Sequence, residues 1–146
     1  MKIAIVSGKA EGPSKLNSFD NALLDAGIGN VNLIKVSSML EKNTKISELP
    51  KLKPGSMINC VLSCISSDKK GDLISAAVAI AIGDNLGCVV ENSKINKNPK
   101  EVKIESINMV KYMMERRGET THELIIEETN HIVKNTGTVV ASVVYL

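Results

Sequence analysis

"LNSFDNALLDAGIGNVNLIKVSSML", residues 16–40, carries two different periodicities, and the switch between them decides the fold class. From Phe19, apolar residues recur at Ala22, Leu23 and Ala26, the i, i+3, i+4, i+7 spacing of one helix face. Asn17 is the candidate N-cap, Asp20 falls in the first turn where the helix dipole favours a carboxylate, and Gly27 is the candidate stop. Residues 31–36, "VNLIKV", then make a near-continuous apolar run that predicts a strand, and it ends on Ser37 and Ser38. A short amphipathic helix running into a strand makes this a mixed α and β chain.

The same reading extends outward. Residues 2–6 predict a first strand, followed by a loop through the glycines and proline of "GKAEGPSK". Residues 39–55 are lysine-rich, contain Pro50 and Pro54, and read as an exposed connection. "SMINCVLSCI" predicts a strand, and Asp68 to Gly71 a turn. "DLISAAVAIAIG", residues 72–83, is small and apolar almost all round, which suits a buried helix ended by Gly83. "LGCVVE" is strand-like and closes on Glu91. Asn98 and Pro99 mark the start of a helix that runs to Arg117 with Gly118 as stop, burying Val102, Met109, Val110 and Met113. β-rich runs either side of "KNTG" predict a closing hairpin. With adjacent strands at the end, an α+β layered architecture is favoured over a doubly wound parallel sheet, as one domain over residues 1–146.

Composition narrows the function. Hydrophobic residues make up 43% and charged residues 23%, the balance of a folding globular chain. Net charge is only +2 with acids interleaved among the lysines, and the aromatics are just Phe19, Tyr112 and Tyr145. Neither a basic stripe nor a stacking platform exists, so nucleic acid is not an expected partner. Cys60, Cys64 and Cys88 lie in or beside apolar segments without CxxC spacing, and His122 and His131 have no partner at ligand spacing. They read as reduced thiols of a cytoplasmic protein with no metal site. The longest apolar run, residues 74–82, is far below the roughly 20 residues that span a bilayer, so no membrane is expected.

"GIGNVN", residues 27–32, superficially resembles a phosphate-binding loop, but its glycines precede a strand and Asn32 stands where the third glycine would be. A helix stop and tight turn is the better reading. Asp20 and Glu91 are single carboxylates in or beside apolar segments, and each has a plain structural role as an alternative, dipole stabilisation for Asp20 and surface for Glu91. No GxSxG elbow surrounds Ser37 and Ser38, and no His/Asp arrangement makes Ser38 a hydrolase nucleophile. A serine hydroxyl has another chemistry: it can attack the carbonyl of its own preceding peptide bond.

The run from Leu16 to Leu40, followed in order by "SSDKKGDLISAAVAIAIG", "VVE" and "ERRGE", resembles the pyruvoyl-dependent arginine decarboxylases over nearly the whole chain, most densely from Leu16 to Ser38. The resemblance implies a proenzyme cut between Ser37 and Ser38 into residues 1–37, a β chain, and 38–146, an α chain. Ser38 becomes a covalent pyruvoyl group, the cofactor, which condenses with the substrate amine as pyridoxal phosphate would. Asn32 assists the processing. Glu91 is the implied proton donor, a carboxyl whose pKa an apolar strand would raise.

The resemblance further implies that Asp20 receives the guanidinium of L-arginine, with Gly29, Val31 and Ser37 lining the same pocket. Its fold would be a four-layer αββα sandwich, assembled as a homotrimer with active sites at subunit interfaces, and its product agmatine. A pyruvoyl enzyme acting on another amino acid and an uncleaved, non-catalytic trimeric homologue are the alternative readings.

Overall fold

The first strand is longer than its apolar run. In the computed structural model, which describes residues 1–146, β1 covers Lys2–Glu11 and passes straight through the glycine expected to open a loop. Gly8 stays in the strand because the backbone of the next element lies against it: a Cβ there would collide with the Ala22 carbonyl and the Ala26 amide. That element, α1 (Lys15–Asp25), starts earlier than its apolar spacing indicates. Its cap is Ser14 and not Asn17, with the Ser14 hydroxyl accepting from the Asn17 amide at 3.1 Å. Asp20 consequently falls beyond the first turn. Gly27, at φ +81°, ends the helix as expected.

Two sheets follow. The first has the order β2 (Asn32–Lys35), β5 (Met57–Ser67), β9 (Gly137–Tyr145), β1 and β4 (Lys45–Ile46). The second has the order β3 (Met39–Glu41), β7 (Leu86–Ile95), β6 (Leu73–Gly83) and β8 (Thr121–Ile132). The exposed connection expected after Ser38 therefore contains two short strands, and β7 continues past Glu91 to Ile95. The sheets pack face to face through Val61, Val139, Ala141 and Val143 on one side and Ile74, Val78, Ile80 and Val89 on the other. On the outer face of the first sheet, Cys60, Leu62, Val140 and Val144 meet Ala22 and Leu23 of α1. On the outer face of the second, Ala79, Ala81, Cys88 and Val90 meet Val110 and Met114 of α2 (Pro99–Arg116). The layers are αββα, as the resemblance implied, and no helix is long and apolar enough to cross a membrane.

Three expectations are corrected. Residues 72–83 form the central strand β6, not a helix. They look helical because the strand is buried on both faces, which erases the alternation that marks a half-exposed strand. The residual signal is a difference in size. Ile74, Val78, Ile80 and Ile82 face the other sheet, with Ala76 the one small residue among them, whereas Ala77, Ala79 and Ala81 take the alternate positions, Ala79 and Ala81 lying under α2. The closing pair is no hairpin: β8 bonds to β6 and β9 bonds to β1 and β5, so "KNTG" carries the chain from one sheet to the other. In α2 the inward face is Val102, Ser106, Val110 and Met114, while Met109 is exposed and Met113 is only partly buried.

Candidate active site

β2 is a four-residue edge strand that runs parallel to β5, with Lys35 opposite Cys60. The next amide, Val36, still bonds the Cys60 carbonyl at 3.0 Å, and there the first sheet releases the chain. Three residues later, at Met39, β3 begins on the edge of the second sheet, with Met39 opposite Cys88. Ser37 and Ser38 are the crossing between the sheets. Ser37 is exposed and Ser38 half-buried.

Backbone hydrogen bonds hold the crossing. The Met39 amide donates to the Ser37 carbonyl at 2.9 Å, closing a three-residue turn centred on Ser38. The Val89 amide of β7 donates to the Ser38 carbonyl at 2.9 Å. The Tyr145 hydroxyl, reaching from β9 in the opposite sheet, donates to the Met39 carbonyl at 2.9 Å. Burial first, and the neighbouring Cys60 second, push the Tyr145 hydroxyl above its ordinary pKa of 10.0, so it keeps the proton it donates.

Glu91 stands two residues beyond Val89 on β7, so its side chain shares the inter-sheet face, about 7 Å along the strand from the residue that grips Ser38. It helps line a cleft of about 400 Å³ at the sandwich edge, together with Lys35, Ser63, Cys64 and Ser93. Within its lining the Ser63 hydroxyl donates to the Asn92 carbonyl at 2.6 Å, linking the two sheets. Glu91 itself is exposed, so the apolar surroundings expected for its carboxyl are not supplied within one chain. The largest concavity, about 720 Å³, lies against α2 and is lined by Val90, Ile104, Met109 and Tyr112. Val90 points to the opposite face of β7 from Glu91, so that groove is separate from the serine crossing.

The remaining candidates gather elsewhere. Asn32 opens β2, its side-chain amide donating to the Gly55 carbonyl at 3.0 Å, and the five chain steps to Ser37, most of them along β2, separate the two by up to about 16 Å. Gly29 is pressed against Leu24, where a Cβ would meet the Leu24 amide at 2.8 Å, and Val31 packs on the α1 side of the first sheet. Asp20 is exposed on α1. One chain thus brings Ser37, Ser38 and Glu91 to one end of β2, and leaves Gly29, Val31 and Asn32 at the other. The Met39 and Val89 amides and the Tyr145 hydroxyl were not expected from sequence. Backbone donors carry no residue signature, and Tyr145 offered only the rarity of aromatics.

The crossing is chemically suited to a pyruvoyl group. Its serine sits in a tight turn beside a polar cleft, with amide donors on both carbonyls that flank the Ser37–Ser38 and Ser38–Met39 bonds. Comparison with known proteins agrees along the chain. The sequence model of the pyruvoyl-dependent arginine decarboxylases matches residues 2–146. A curated pyruvoyl-dependent arginine decarboxylase of Methanothermobacter thermautotrophicus is 63% identical over 146 residues, covering 100% of this chain and 97% of that protein. Proteins of the same name from Pyrococcus furiosus and Methanocaldococcus jannaschii are 40% and 37% identical, each covering 92% of this chain and 87% and 83% of those proteins. With the match running through both sheets and the serine crossing, the chain belongs to the pyruvoyl-dependent arginine decarboxylase family.

Proposed function

We propose that this protein is a self-processing pyruvoyl-dependent decarboxylase that converts L-arginine to agmatine and carbon dioxide. Family membership along residues 2–146 supports the reaction, and the observation that carries the site is the Ser37–Ser38 turn with the Met39 amide on the Ser37 carbonyl.

An ordinary amide carbonyl is a poor electrophile, so self-cleavage needs a donor where negative charge develops. The Met39 N–H at 2.9 Å from the Ser37 oxygen meets that requirement. The Ser38 hydroxyl attacks the Ser37 carbonyl carbon, the Ser38 nitrogen leaves, and an ester replaces the amide. Loss of the Ser38 α-proton expels Ser37 as a carboxylate, and water then releases the nitrogen as ammonia. Residues 1–37 and 38–146 become separate chains, the second of 146 − 37 = 109 residues with a pyruvoyl group at its head. That group is a ketone, which supplies the electron sink that loss of carbon dioxide requires. The Val89 amide keeps hold of the Ser38 carbonyl, and so fixes the new chain end beside the cleft that Glu91 lines.

Glu91 gives a proton to the carbon that has lost carbon dioxide. Asp20 accepts paired hydrogen bonds from the guanidinium, Gly29 and Val31 line its path, and the Asn32 amide assists the cleavage. Asn32 lies up to about 16 Å of extended chain from Ser37, farther than an asparagine side chain reaches, and Gly29 and Val31 lie on the same far side of β2, so we assign this group to the Ser38 of a neighbouring copy. A homotrimer with three shared pockets satisfies that arrangement, and it covers the exposed Glu91. The three cysteines are free, which supports a cytoplasmic location.

Intact-mass measurement on matured protein tests the cleavage: chains of 37 and 109 residues are expected, and a single uncut chain would contradict it. Carbon dioxide release from arginine, lysine, ornithine and histidine, compared side by side, tests the substrate. Arginine is expected to dominate, and equal release from lysine would remove the guanidinium assignment.

A further inference from the structure

The serine crossing is short of support from its own strand. β3 has only three residues and is the edge of its sheet, and Ser37 is exposed. Geometry at the scissile bond therefore depends on what grips the two peptide planes after it. The first plane contains the Ser38 carbonyl and the Met39 amide, and Val89 holds it by the carbonyl. The second contains the Met39 carbonyl, and Tyr145 holds it at 2.9 Å. The Tyr145 ring packs against the inter-sheet core, so the hydroxyl is presented from a fixed base with only two side-chain torsions. Tyr145 belongs to the first sheet and Met39 to the second, so this hydrogen bond spans the gap that Ser37 and Ser38 themselves cross.

We infer that Tyr145 is a positioning residue for self-cleavage: its hydroxyl fixes the Met39 peptide, and through it the amide that faces the Ser37 carbonyl. This rests on the self-processing reading. Tyr145 touches neither reacting atom, and its effect falls on the step in which the Ser38 hydroxyl forms a bond to the Ser37 carbonyl carbon and the amide C–N bond breaks. Without the hydroxyl, the Met39 residue turns about its own torsions and the amide spends less time aimed at the carbonyl oxygen.

Tyr145→Phe removes the hydroxyl and keeps the ring. Ser142→Ala is the matched control, because it removes a buried hydroxyl of the same strand that donates to the Val61 carbonyl at 2.8 Å, away from Met39. Uncut wild type and both variants are followed by intact mass as residues 1–37 separate from 38–146, with thermal melting of each. Tyr145→Phe should cleave about fivefold more slowly or worse, the effect of one lost hydrogen bond on a rate, while Ser142→Ala cleaves at the wild-type rate. Hydroxylamine, which splits the ester but not the amide, should leave Tyr145→Phe slow. Cleavage of Tyr145→Phe within twofold of wild type overturns the inference. So does equal slowing of both variants in step with their melting temperatures, since that is a structural effect. Recovery of the wild-type rate in hydroxylamine also overturns it, because the defect would then lie after ester formation. If wild type itself stays uncut, the self-processing reading fails, and the inference with it.

Discussion

At Ser38 one side chain separates folding from chemistry. The carbonyl of the residue is held by the Val89 amide and its turn is closed by the Met39 amide, and both bonds belong to the backbone. Ser38→Ala therefore keeps every backbone hydrogen bond of the crossing and loses only the proposed nucleophile. Cleavage should be abolished, leaving one chain of 146 residues by intact mass, with stability within about 0.5 kcal/mol of the uncut wild type by thermal melting. Residual cutting between residues 37 and 38 in that variant would mean that another group attacks. At this scale the sequence was legible only where a side chain carries the role. Ser37 and Ser38 stand out once the stretch from Leu16 is compared with the family, and Glu91 once "VVE" is, whereas Met39 and Val89 contribute amides that any residue but proline would offer.

Among the elements, legibility followed exposure. α1 and α2 show their helical spacing because one face of each meets solvent, and β5 was visible as an apolar run between turns. β6 was not, because burial on both sides leaves no polar face to set the period. Its alanines are the residual clue, and they carry a prediction. Ala79 is fully buried between β6's neighbours and the Val110 and Met114 side chains of α2. Ala79→Leu forces α2 outward and should cost about 1–3 kcal/mol in urea unfolding, the usual penalty of overpacking. A second element-level device ties the β8–β9 passage to β1. The Glu11 carboxylate accepts from the Asn135 amide at 2.7 Å and meets the His131 ring nitrogen at 2.7 Å. Burial pushes the Glu11 carboxyl up, but the Asn135 amide, His131 and the Lys134 amide together outweigh it and hold the group below its ordinary 4.5. A carboxyl lowered on folding stabilises above its unfolded pKa, and that contribution is lost as pH falls through the folded value. Urea unfolding compared between about pH 6 and pH 3 should show wild type losing its advantage over Glu11→Gln as the solution acidifies. A constant difference across that range would show that the carboxylate charge contributes nothing.

The whole molecule poses the question of how many chains make one site. Within a chain, β2 stands between Gly29, Val31 and Asn32 at its start and the serine crossing after its end, with up to about 16 Å of extended chain from Asn32 to Ser37. The strand predicted over residues 31–36 already implies this separation, but sequence spacing carries no signal of how many chains build one pocket. Two variants test the consequence. Asp20→Asn removes the carboxylate proposed for the guanidinium, and Glu91→Gln removes the proposed proton donor. If each pocket takes Asp20 from one subunit and Glu91 from the next, a trimer assembled at random from equal amounts of the two variants has both groups intact in about half of a half, or one quarter, of its pockets. Co-expressed and confirmed as cleaved by intact mass, the mixture should recover about a quarter of wild-type arginine decarboxylation, while each variant alone stays far below it. If instead both carboxylates come from a single chain, every pocket in every mixture lacks one of them, and mixing restores nothing. Recovery near a quarter would therefore assign Asp20 and Glu91 to opposite sides of a subunit boundary, which also explains why Glu91 stands exposed on the isolated chain.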